Sequence, residues 1–178
     1  MGMKMEYEFN LKFKLAEVAA NDDRIMECLG RAGCTDALVG LGSQGYVGLD
    51  FIREANSAED AIRSALADVK RALPTAILVE AGPDFVGLTD VADLVGVSRQ
   101  NMRKLFVRNA AVFPAPVHGG SSTIWHLAQV LHFLKERQYQ FTQSVLDVAL
   151  AAMRVNIKKE NGLLDPIIEE DPGQRFAA

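Results

Sequence analysis

Leu88-Thr-Asp-Val-Ala-Asp-Leu-Val-Gly-Val-Ser-Arg-Gln-Asn-Met-Arg-Lys-Leu-Phe106 is the stretch from which the rest of the chain is read. Its apolar residues recur at helical spacing on both sides of Gly96, which predicts two short amphipathic helices joined by a glycine turn, a helix-turn-helix. Ala92 is small enough to let the helices cross closely. Gly96, four residues on, suits the left-handed backbone of the turn, and Met102 is expected to bury against both helices. Ser98 is expected to cap the second helix through its hydroxyl, and Thr89 to do the same for the first.

A step of 100° per residue puts Met102, Leu105 and Phe106 on one face of the second helix and Gln100, Arg103, Lys104 and Val107 on the other. Asn101 and Arg108 fall on one flank and Arg99 on the opposite one. Arginine pairs with guanine edges and glutamine or asparagine with adenine, so Gln100, Arg103 and Lys104 are candidates for reading bases. Ser98, Arg99, Asn101 and Arg108 are candidates for base or phosphate contacts. A merely solvated helix face can carry the same residue types, but here caps, turn and polar face agree.

The following stretch, Val112-Phe-Pro-Ala-Pro-Val-His-Gly-Gly-Ser-Ser-Thr-Ile-Trp125, reads as an extended segment, a turn at Gly119 and Gly120, and a return strand, together a β-wing. His126 to Arg137 then places Leu127, Val130, Leu131 and Leu134 at helical spacing, a helix to pack beneath the first two. The segment resembles the winged helix-turn-helix domains of MerR-like, AlpA and excisionase-type regulators. The resemblance rests on Leu88 to Asn101, on Phe113-Pro-Ala-Pro and on Ile124-Trp-His-Leu followed by a helix. It implies sequence-specific binding of double-stranded DNA, the second helix in the major groove and the wing against the backbone or minor groove. The wing holds no Arg or Lys, so its share of the interface falls to His118 and Ser121, with Thr89 completing the candidate set.

A net charge of -4 and a pI near 5.4 run against a nucleic-acid partner for the chain as a whole. The charge is unevenly distributed, however. Residues 1–87 hold 9 basic and 14 acidic residues, residues 88–140 hold 6 and 3, and residues 141–178 hold 4 and 6. The basic excess lies where the resemblance does. A local excess of that size gives modest nonspecific affinity and calls for dimerisation or direct base contacts.

The first half has its own periodicity. Tyr7 to Leu15 alternates apolar and polar residues, a half-buried strand. Asp22 to Gly33 reads as a helix with Ile25, Met26 and Leu29 inward. Asp36 to Leu41 and Tyr46 to Ile52 read as a hairpin, Ser57 to Leu73 as a capped helix, and Ala76 to Glu80 as a last strand. The order β-α-β-β-α-β is the ferredoxin-like arrangement of an antiparallel sheet with two helices on one face. The whole chain is therefore expected to be α+β. A ferredoxin-like domain over 1–82, for dimerisation or sensing, leads through a short hinge at Ala81-Gly-Pro-Asp84 to a winged helix-turn-helix over 83–140. A helix over 141–160 and an acidic tail over 161–178 follow. Val145, Leu146, Ala149, Leu150, Met153 and Ile157 give that helix an apolar stripe, expected to pair with a second copy, with packing inside the chain as the alternative. Glu169-Glu-Asp-Pro-Gly reads as a mobile tail or a mask for a basic surface.

Other chemistries find little footing. Gly40-Leu-Gly-Ser-Gln-Gly45 fits the spacing of a dinucleotide loop, but a β-rich stretch follows where the fingerprint needs a helix, so no cofactor is expected. His126 and His132 are six apart, a spacing that does not place two metal ligands on one helix face, and Cys28 and Cys34 read as idle thiols. No catalytic group is nominated. The absence of a long apolar run and of a signal-peptide core points to a cytoplasmic protein without a membrane partner. The expectation is thus a homodimeric DNA-binding transcription regulator without cofactor or metal. Its rivals are an excisionase-type architectural factor and an antitoxin-like or adaptor protein whose first domain binds another protein, and a protein partner or small effector is a further candidate for that domain.

Overall fold

Strand β1 (Met5–Lys14) buries Tyr7, Phe9, Leu11 and Phe13 and turns Glu8, Asn10, Lys12 and Lys14 outward, as period-two alternation requires. In the computed structural model, which describes residues 4–16, 21–41 and 45–168 and side chains only to 163, this strand is the hub of an antiparallel sheet. It pairs along its whole length with β3 (Tyr46–Ala55), from Met5 opposite Ala55 to Lys14 opposite Tyr46. Strands β2 (Ala37–Gly40) and β4 (Ile77–Gly82) complete the order β2-β3-β1-β4. Helices α1 (Asp22–Arg31) and α2 (Ala58–Ala72) send Ile25, Leu29, Ala61, Ile62, Ala65 and Val69 into the core beneath the apolar face. Ser57 caps α2 as expected, its Oγ accepting from Asp60 N at 3.1 Å. Met26 does not join the core; it is 47% exposed, because Ile25 and Leu29 alone align with the sheet.

Strand β3 runs three residues past its expected end, which brings Arg53 to a core-facing position. Arg53 is buried there, with Nε and Nη2 donating to the two Asp36 carboxylate oxygens (2.7 and 2.9 Å) and Nη1 donating to Asp68 (2.9 Å) and Ser64 (3.0 Å). Two carboxylates and a hydroxyl thereby answer the desolvation of one guanidinium. Burial beside Asp68 pushes the Cys34 thiol above its ordinary range, the reverse of what an activated cysteine shows. Cys28 and Cys34 are both free.

A second core forms around Trp125. Strand β5 (Phe85–Val86), absent from the sequence reading because it is only two residues long, pairs with β7 (Thr123–His126), which pairs in turn with β6 (His118–Gly119). The wing turn lies over 120–122, one residue later than expected, since His118 faces Ile124 and Gly119 faces Thr123. Helices α3 (Leu88–Leu94), α4 (Arg99–Arg108) and α5 (Leu127–Lys135) enclose the cluster. Phe106 and Phe113 meet Trp125 edge-on, and Trp125 Nε1 donates to Pro114 O at 3.0 Å, pinning the extended segment before the wing.

Helix α6 (Gln143–Ile168) belongs to both cores, and this corrects three expectations. Leu146 and Ala149 pack in the second cluster, whereas Val148, Ala151 and Ala152 pack in the first. The stripe expected to await a second copy is thus covered by the chain itself, and Ile157, expected within it, is 42% exposed. The helix also passes through Asn161 and Gly162, so residues 161–168 are not tail. A helix already anchored needs no new nucleus, and one glycine costs only about 1 kcal/mol. The acidic run from Glu169 lies outside the described residues.

The third correction concerns the hinge. Ala81 and Gly82 end β4, and Asp84 is 1% exposed. The buried Asn156 of α6 receives Ala81 N at 2.9 Å and donates to Ala81 O and to Asp84 Oδ2, both at 2.8 Å. His126 Nδ1 lies 2.8 Å from Asp84 Oδ1, and Leu127 N donates to Asp84 O at 2.7 Å. One asparagine thus satisfies the edge of β4 as a further strand would, and Asp84 just beyond it joins β7 and α6 through its carboxylate and the start of α5 through its backbone carbonyl. Burial, with Asp84 nearby, also raises the pKa of Glu80. The hinge is a clamp.

Candidate nucleic-acid interface

The geometry of α4 follows from its two ends. Gly96 takes φ +70°, and Val97 N donates to Ala92 O at 2.9 Å, so the turn closes in the left-handed conformation that glycine permits without strain. Ser98 Oγ accepts from Asn101 N at 3.2 Å and starts the helix, while Asn109 Nδ2 donates to Leu105 O at 2.8 Å and stops it. Met102 and Ala92 are fully buried where the helices cross. Thr89 is not the cap of α3. The cap position is Gly87, whose N–H donates to Asp90 Oδ2 at 2.7 Å, which leaves the Thr89 side chain exposed within the first turn.

Packing of Met102 inward fixes what faces outward. Arg99, Gln100, Asn101, Arg103, Lys104 and Arg108 are all exposed, and among the described residues none of these four cations is within salt-bridge distance of a carboxylate. Arg99 and Arg103, and again Lys104 and Arg108, stand one turn apart, so the helix carries two like-charge pairs at a spacing where opposite charges stabilise and like charges destabilise by about 0.2–0.5 kcal/mol each. Arg99 also sits at the helix N-terminus, where a positive charge opposes the macrodipole. Only Arg108, in the last turn, is favourably placed toward the macrodipole.

Two hollows run along this face. A groove of about 510 Å³ lies between α4, the start of α3 and the wing, lined by Thr89, Arg99, Arg103, Val107, Ser121 and Thr123 among others. A shallower hollow of about 310 Å³ is bounded by Gln100, Arg103, Lys104, Val107 and Arg108. Arg103 and Val107 line both, so the surface is continuous. Seven of the ten residues singled out in the sequence are therefore brought together here: Thr89, Arg99, Gln100, Arg103, Lys104, Arg108 and Ser121. Ser98 is engaged as a cap, and Asn101 and His118 are exposed but line neither hollow. The His118 ring instead sits over Gly120, where an added Cβ would lie 2.7 Å from Nε2. Thr123 was not anticipated, because its place in the groove depends on the wing folding back beside α4.

No family model, curated protein or solved structure matches the chain. Among the described residues no helix is long and apolar enough to cross a membrane, and no group of three or more His, Cys, Asp or Glu side chains could hold a metal ion.

Proposed function

We propose that the chain binds double-stranded DNA sequence-specifically as a cytoplasmic transcription regulator, with residues 1–82 a ferredoxin-like domain and residues 83–140 a winged helix-turn-helix. The strand order β2-β3-β1-β4 supports the first assignment, and two crossed helices followed by a hairpin and a third helix support the second. One observation carries the functional reading: four exposed cations without acidic partners, two of them one helical turn from the other two, on a helix that pays for their repulsion. In this reading Gln100, Arg103 and Lys104 face bases. Arg99 and Arg108 hold phosphates on either side, and a backbone follows the groove past Thr89 and Ser121. The local charge excess is small, so the protein acts as a homodimer, and its pairing surface lies outside the buried stripe of α6.

The test is selection of random duplexes on the purified protein, then titration of the recovered site across salt concentrations. A palindrome with half-sites about one helical turn apart is the expected result. Arg103→Ala is expected to flatten preference at one base pair, by about 1–3 kcal/mol, whereas Arg108→Ala weakens all sequences alike. No enriched sequence, with only salt-sensitive weak binding, would overturn the reading and move function to the first domain as a protein adaptor.

A further inference from the structure

Val107 has no evident reason to be where it is. It is 61% exposed, and every other exposed position of α4 is polar or charged. The inward face is already filled by Met102, Leu105 and Phe106, so the core does not require it. A β-branched residue also lowers helix propensity at an exposed site. Other exposed valines of this half, Val112 and Val117, lie away from the cations, in the turn after α4 and at the root of the wing. Of the exposed valines only Val107 borders the two hollows, and Arg103 is the other residue common to both.

The edge of the DNA major groove offers one apolar group, the 5-methyl of thymine. A valine in a helix has essentially one side-chain rotamer, so seating it against a methyl costs little conformational freedom. Val107 follows Arg103 by four residues, about 6 Å along the helix axis, and base pairs are stacked 3.4 Å apart. We infer that Val107 reads a thymine through its 5-methyl group, one or two base steps from the base pair that Arg103 contacts. The inference rests on the DNA-binding reading above.

The experiment replaces each thymine of the selected site, one at a time, by deoxyuridine, which keeps every hydrogen-bonding group and removes only the methyl. For the wild-type protein one replacement in each half-site is expected to weaken binding about three- to tenfold, at one or two steps from the base pair that becomes indifferent in Arg103→Ala. Val107→Ala is expected to bind the intact site more weakly by a similar factor and to be insensitive to that same replacement. The assignment is overturned if no thymine methyl matters to the wild type, or if the methyl effect persists undiminished in Val107→Ala. Because the deoxyuridine arm alters only the DNA, it does not depend on how the variant folds. Failure to select any site would instead remove the DNA reading itself, and this inference with it.

Discussion

Two sets of cations in this molecule are handled in opposite ways: Arg31, Arg53, Arg63 and Arg71 around the first core, and the four cations of α4 beside the second. In the first, Arg53 is buried and held by Asp36, Asp68 and Ser64, and Arg31, Arg63 and Arg71 each meet a carboxylate one helical turn away. In the second, Arg99, Arg103, Lys104 and Arg108 face solvent without acidic partners, and repel one another along α4. Charge that is neutralised inside a chain serves its fold. Charge left unanswered at some cost to the fold is available to something outside it.

The comparison can be broken most forcefully at Arg53. Arg53→Met leaves two carboxylates facing a core without their counter-ion, and the expected loss is about 3 kcal/mol in chemical denaturation. A loss under about 1 kcal/mol would show that the buried cluster contributes little and that the contrast is one of geometry alone. Asn156→Ala tests the seam between the cores. It strands Ala81 N and one Asp84 oxygen, so a loss of about 2 kcal/mol is expected, accompanied by faster hydrogen exchange at both β4 and the start of α5. Protection lost at β4 alone would mean that the cores are not mechanically joined through Asp84.

Arg99→Ala sharpens the contrast from the other side. Removing a cation from the N-terminus of α4 relieves repulsion from Arg103 and the macrodipole, so a gain of about 0.3–1 kcal/mol in stability is expected while DNA affinity falls. A variant that is both less stable and unchanged in binding would argue that Arg99 belongs to the fold. The smallest effect is expected at Glu80. Its pKa lies above the ordinary 4.5 because burial, and then Asp84, disfavour the carboxylate. The native state therefore holds this proton to higher pH than the unfolded chain does. The associated stability is complete below 4.5 and is lost as pH rises through the raised native value. Glu80→Gln should flatten that decline and leave the protein more stable at pH 7, by about half a kcal/mol or less given solvent screening at a partly exposed group. Thermal melts from pH 4 to 8 would show it, and identical profiles would refute it.

Much of this is legible in the sequence. The alternation of Tyr7 to Leu15, the cap at Ser57, the glycine of the turn at Gly96 and the cap at Ser98 are local matters, decided by residues within a few positions of one another. The outward cations of α4 were readable for the same reason: once Met102 is inward, helical spacing orders the rest. Where local signals were weak the reading slipped. Thr89 is a plausible cap, but Gly87 with Asp90 takes the position. Two-residue strands such as β5 have too little periodicity to be seen.

What the sequence by itself determined is most of the elements and most of the faces they present, because capping, periodicity and turn chemistry act over one or two helical turns. Only the tertiary structure decided that the stripe of α6 is consumed inside the chain, that Ala81 to Asp84 is a clamp, and that Ser121 and Thr123 face Arg99 and Arg103 across a groove. Those facts join residues distant in the chain, 75 positions apart where Asn156 meets Ala81 and farther where α6 packs on β1. No short-range pattern encodes such a meeting. Which apolar stripe covers which core is settled by the competition among all the faces seeking burial at once.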